Sequence, residues 1–121
     1  MPTAHSGFLI QSAYGGTGNF ELVLADSIYR RLAHRWREND DPGLAWIGPH
    51  FFGSGDVRDP SLIQSNFGTP ELGNLEVIVQ ESNSLAHYWR SEWHGPLRFA
   101  ERQVSGNPAF IQSLFGNRGK I

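Results

Sequence analysis

Four tryptophans recur as two matched pairs, and with the histidines and arginines beside them they are the side chains with which this chain could do chemistry. Trp36 and Trp89 each follow a histidine by two positions, His34 and His87, and each precedes an arginine, Arg37 and Arg90. Trp46 and Trp93 head a second motif, Trp46-Ile47-Gly48-Pro49 and Trp93-His94-Gly95-Pro96. An aromatic ring offers a flat apolar face, whereas Arg, Gln, Asn and Glu offer planar hydrogen-bonding groups. Together they suit a small ligand with both C–H faces and hydroxyls, as a saccharide has. The candidate ligand-binding residues are Trp36, Trp46, Trp89, Trp93, His87, Tyr88, Arg37 and Arg90. Tyr88 stands where the first copy has Arg35, so sites built there differ between the copies.

A structural use of the same residues is open. On a strand, His34 with Trp36 and His87 with Trp89 point to one face, where they could form a core between sheets with buried partners for the indole and imidazole nitrogens. Arg37 and Arg90 could pair with Glu21 and Glu76 on the neighbouring strand, and Trp46 and Trp93 are expected at a turn entering an outer strand. No Gly-x-Ser-x-Gly elbow, phosphate-binding glycine loop or His-Glu-x-x-His helix is present, so a non-enzymatic role is favoured and no catalytic residue is assigned. His5, His34, His50, His87 and His94 lack metal-type spacing, so neither metal nor cofactor is expected. The run Glu38-Asn39-Asp40-Asp41 reads as a solvated loop.

Net charge is −2 with Lys and Arg scattered singly, which excludes the basic stripe that a nucleic-acid backbone requires. The absence of cysteine excludes a disulfide framework and Cys-ligated metal sites. No segment approaches the apolar length of a membrane span, and residues 1–8 lack the pattern of a signal peptide. A soluble protein, cytoplasmic or exported by another route, is expected.

What positions these residues is a repeat. Leu9-Ile10-Gln11-Ser12 returns as Leu62-Ile63-Gln64-Ser65 and as Phe110-Ile111-Gln112-Ser113, each trailed by an aromatic and a glycine. Gly18-Asn19-Phe20-Glu21-Leu22-Val23-Leu24 matches Gly73-Asn74-Leu75-Glu76-Val77-Ile78-Val79, and Leu32-Ala33-His34-Arg35-Trp36-Arg37 matches Leu85-Ala86-His87-Tyr88-Trp89-Arg90. The copies lie 53 and then 48 residues apart, close to the roughly 40 to 50 residues of a propeller blade. Four strand-like stretches per period predict all-β, four-stranded antiparallel blades. In the second unit they are Ser61 to Phe67, Asn74 to Gln80, Leu85 to Arg90 and Leu97 to Val104. Residues 1–121 are read as one propeller segment: blade 1 over about 8–59, blade 2 over about 60–107, and the extra first strand of a third over about 108–116. A hairpin rather than a helix is expected between Ala25 and Arg37. The nearly continuous apolar run Leu75 to Val79 suggests a strand covered on both faces.

Closed propellers have roughly 4 to 8 blades, so two blades call for further blades around them. Either copies of the chain close a ring as a homo-oligomer, a trimer or tetramer, or the chain is a piece of a longer protein. The pattern Gly-Asn-Phe/Leu-Glu, then Leu-x-His-x-Trp and a later Trp, resembles the blades of bacterial and fungal β-propeller lectins, particularly fucose-binding ones. Ala33 and Ala86 stand where that family often has Trp. The resemblance covers almost the whole chain and implies multivalent binding of monosaccharides and glycan ends between adjacent blades. A propeller scaffold for protein–protein interaction is the alternative, and an enzyme using the channel or an inter-blade pocket a third.

Overall fold

The computed structural model describes residues 4–26, 28–65, 73–82, 84–90 and 93–99. Eight strands follow one another: β1 (Ala4–Gln11), β2 (Phe20–Asp26), β3 (Arg31–Arg37), β4 (Trp46–Phe52), β5 (Val57–Gln64), β6 (Leu75–Glu81), β7 (Ser84–Arg90) and β8 (Trp93–Phe99). They form two four-stranded antiparallel sheets, β1-β2-β3-β4 and β5-β6-β7-β8, each an up-and-down meander of the propeller-blade kind. No helix occurs among the described residues. The segment between Ala25 and Arg37 is a hairpin, with Arg30 at φ 56° and the Asp26 carboxylate accepting from the amides of Ile28 and Tyr29.

Two expectations about the outer strand are corrected. Trp46 and Trp93 are the first residues of β4 and β8 rather than turn residues, because the ladder runs on to the strand ends and pairs them with Arg37 and Arg90. For the same reason the last strand of the second blade begins at Trp93, four residues before Leu97. The segments expected to finish that strand and to start a third blade, 100–104 and 108–116, lie outside the described residues.

Side-chain alternation gives each blade two faces. The front of the first blade carries Glu21, Val23, Ala25, Leu32, His34, Trp36 and Phe52, and it meets the back of the second, which carries Leu62, Leu75, Val77, Val79, Tyr88, Arg90 and Trp93. Val23, Ala25, Leu32, Leu62, Val77, Val79 and Ala86 are wholly buried at this interface. Phe52 stacks on Trp93 with ring centroids 3.9 Å apart and meets Tyr88 edge-on at 5.3 Å. Polar ties join the inner edges: the Ala13 amide donates to Gln64 Oε1 (2.7 Å), the Tyr14 hydroxyl to the Gly73 carbonyl (2.6 Å) and the Asp59 amide to Ser6 Oγ (2.9 Å). β6 is buried at every position except the half-buried Ile78, whereas β2 alternates between buried and half-buried.

Both blades bulge where the third and fourth strands pair, between His34 and Trp36 and between His87 and Trp89. The bulges depend on Gly48 (φ 107°) and Gly95 (φ 118°), where an added Cβ would lie 2.8 Å from the His34 carbonyl oxygen and 2.7 Å from that of His87. Neither the backbone angle nor the space admits a side chain. Gly95→Ala is expected to cost roughly 1–3 kcal/mol from the angle alone, read as a lower denaturation midpoint, with the clash adding to it.

Candidate functional site

The site grows from the alternation of β2 and β3. Glu21, His34 and Trp36 share the front face of the first blade, so the Glu21 carboxylate reaches the His34 ring, Oε1 to Nε2, at 2.8 Å. The other oxygen, Oε2, accepts from Ser12 Oγ at 3.0 Å. From the second blade, Arg90 crosses the interface and its Nη1 donates to His34 Nδ1 at 2.7 Å. A guanidinium has only donors, so Nδ1 accepts, the ring is the neutral tautomer, and its proton sits on Nε2 facing Glu21. Burial holds His34 below the usual histidine range, and the charge of Arg90 and the neighbouring His50 act the same way, against the opposing pull of Glu21.

Around this chain lies an inter-blade pocket of about 280 Å³. Trp36, half-buried, and Tyr14 supply aromatic walls; Asn19, Glu21, His34 and Arg90 supply polar groups; Leu75 closes the side of the second blade. Trp36 is tilted over His34 at 5.2 Å and edge-on to His50 at 4.9 Å, and the Arg90 guanidinium stands 5.7 Å from its ring. Burial pushes the Tyr14 hydroxyl up, against a hydrogen bond with Gln64 that lowers it. A mixed aromatic and hydrogen-bonding lining in a concave site between two sheets can hold a small polar ring by stacking on one face and bonding at its edge.

Of the sequence-derived candidates, Trp36 and Arg90 line this pocket together. Trp93 stands behind it, edge-on to His34 at 5.5 Å, with its indole nitrogen buried and without a hydrogen-bond partner among the described residues. Tyr88 is 2% exposed in the interface core, where its hydroxyl donates to the Glu81 carboxylate and burial pushes its pKa up. His87 and Trp89 lie on the front of the second blade, their rings 5.3 Å apart. Arg37 and Trp46 lie on the back of the first, with the guanidinium of Arg37 over Phe20 at 4.5 Å and its Nε donating to Asn39 Oδ1 at 2.7 Å.

The expected pairing of Arg37 and Arg90 with Glu21 and Glu76 is overturned. Arg37 faces the back with its cross-strand neighbour Phe20, opposite to Glu21, and Arg90 likewise pairs with Leu75, opposite to Glu76. Each glutamate instead takes the histidine of its own face: Glu76 Oε1 lies 2.7 Å from His87 Nε2 and its Oε2 accepts from Ser65 Oγ at 2.9 Å. This repeated Ser–Glu–His chain was missed by sequence reasoning, although strand parity alone assigns Glu21 and His34 to one face. Tyr14 and Asn19 were missed as lining residues because they come from the β1–β2 loop, whose path depends on a distant tether: Asp40, in the loop expected to be only solvated, accepts from the Gly16 and Thr17 amides and the Thr17 hydroxyl. Thr17 and Gly16 hold the Asp40 carboxyl below its usual range.

A more open hollow of about 520 Å³ runs along the first strands of both sheets, where Gln11 and Gln64 line it. Gln64 ties the blades by accepting from the Ala13 amide, while Gln11 turns back on its own hairpin to Thr17 and Gly18. No described helix is long and apolar enough to cross a membrane. No family model matches this chain, and neither the curated proteins nor the solved structures contain a match to it.

Proposed function

We propose that the chain is a non-enzymatic, lectin-like propeller segment that binds a monosaccharide or glycan end in the pocket between its two blades. The observation that carries this reading is the convergence of Trp36 and Tyr14 with Arg90, Glu21 and Asn19 in one concave site of about 280 Å³. That volume suits a single sugar ring, and the lining matches a sugar's two kinds of surface. The likeness of the repeat to fucose-binding propeller blades supports the same ligand class.

A glycan array on the purified chain, followed by titration calorimetry with the best ligand, tests it. Trp36→Ala and Arg90→Lys are each expected to weaken binding by roughly tenfold or more, about 1.4 kcal/mol, with circular dichroism unchanged. Arg90→Lys keeps the charge but loses the planar fork, so it separates shaped recognition from simple attraction. An empty array, or a bound glycan indifferent to both substitutions, would sink the reading.

A further inference from the structure

Two side chains from different blades meet in the pocket wall with matched hydrogen-bonding needs. A neutral imidazole has one donor nitrogen and one acceptor nitrogen. At His34 both are used: Nε2 lies 2.8 Å from Glu21 Oε1, and Nδ1 accepts from Arg90 Nη1 at 2.7 Å. Glu21 Oε2 accepts from Ser12 Oγ, which keeps Oε1 turned to the ring. The His34 side chain is 3% exposed, so little water reaches Nδ1 in place of the guanidinium.

The ring is held from several sides, by Glu21 at one edge, Trp36 tilted over it at 5.2 Å and Trp93 edge-on at 5.5 Å. Arg90 ends β7 and reaches across from the other blade, its guanidinium 5.7 Å from the Trp36 ring and 6.0 Å from that of Trp93. A long, rotamer-rich side chain depends on its acceptors to fix where its fork sits. Among the described residues, the charged or titratable groups facing His34 are Glu21 on β2, His50 on β4 and Arg90 on β7, while Ser12 after β1 and Trp93 on β8 carry no charge. Burial opposes a second proton on the ring, Glu21 favours it, and Arg90 and His50 add to the effect of burial.

We infer that His34 is the positioning residue of the pocket: its neutral ring fixes the Arg90 guanidinium in the wall, and uptake of one proton breaks that contact. A second proton turns Nδ1 from acceptor to donor, so that two N–H groups of two cations face each other where one hydrogen bond was. His34 therefore acts through Arg90 rather than on a ligand. By reciprocity, a ligand held by Arg90 binds the neutral form best and drives the proton off. Its affinity is highest above the native titration of His34 and falls below it by up to about tenfold per pH unit. Only this consequence for a ligand rests on the carbohydrate reading; the coupling of the two side chains does not.

Nitrogen NMR of the intact, ligand-free chain from about pH 8 to about pH 5 tests the coupling, with His50→Gln identifying the His50 signal so that the His34 signal is assigned. No glycan enters the experiment, so an empty array leaves its result standing, and its failure leaves the carbohydrate reading standing. In wild type the His34 Nδ1 and Arg90 guanidinium signals are expected to change with one midpoint. Arg90→Met, which removes the donor but keeps an apolar stem, is expected to raise the His34 midpoint by about one unit. His34→Gln supplies a donor and an acceptor that do not titrate, and is expected to hold the Arg90 signal constant across the range. An Arg90 signal that stays constant while wild-type His34 takes up its proton overturns the inference, and this arm needs no substitution at either residue. So does a His34 that stays neutral until the chain unfolds, or a midpoint that is the same in wild type and folded Arg90→Met.

Discussion

Leu62→Ala is expected to destabilise the chain by about 2–5 kcal/mol, whereas Leu9→Ala at the repeat-equivalent position is expected to fall within about 0.5 kcal/mol in a single chain. The two residues occupy the same place in the same tetrad, yet Leu62 is wholly buried against the first blade and Leu9 is 54% exposed. Removing Leu62 leaves a cavity among Val23, Val77 and their neighbours, where two stiff sheets relax little, while removing Leu9 leaves none. Urea denaturation of both variants at a concentration where the chain is monomeric measures the contrast. Equal losses would mean that the back of the first blade is already covered.

Acidification should weaken the blade-to-blade contact through His34, and the direction follows from its position. An unfolded chain takes up a proton on histidine near about pH 6.5. Burial first, with Arg90 and His50 in support, holds native His34 lower, with Glu21 opposing. Below about pH 6.5 the unfolded state therefore binds the extra proton and the native state does not. The stabilisation is complete above that pH and is lost as the pH falls toward the native value, by up to about tenfold in the unfolding constant per pH unit. Native protonation would place an N–H on Nδ1, against the guanidinium that donates to it, and so displace Arg90 from the pocket wall. Urea midpoints from pH 7.5 downward should show this slope in wild type and lose it in His34→Gln; parallel slopes would rule it out. The Asp40 carboxyl, held low by Thr17 and Gly16, loses its hydrogen-bonded form only at more acidic pH and does not blur the window.

The strands and their pairing were legible because the repeat shows every element twice, and a turn misread in one copy is checked by the other. The hairpin after Asp26 is an example, since Leu32 to Arg37 has its counterpart in Leu85 to Arg90, a segment preceded by Ser82-Asn83-Ser84. Trp36 and Arg90 were legible as candidates, but not that they line one pocket together. A repeat lists equivalent positions, whereas a pocket between blades joins non-equivalent ones: the histidine and tryptophan of one unit with the arginine of the next. Tyr88 shows the same limit. The ring that looked available for stacking replaces Arg35 of the first unit and is sealed between blades by Phe52 and Glu81. The exchange of an arginine for a tyrosine marks which back face is filled.

The links between third and fourth strands differ in length: residues 38–45 join β3 to β4, but only residues 91–92 join β7 to β8. Only the longer link contains an Asp40, whose carboxylate fastens the loop that presents Tyr14 and Asn19. Asn39 adds to the fastening, donating from Nδ2 to the Gly18 carbonyl at 2.7 Å. The rim of the pocket behind Trp36 is therefore set before any ligand arrives, and little ordering entropy remains to be lost on binding.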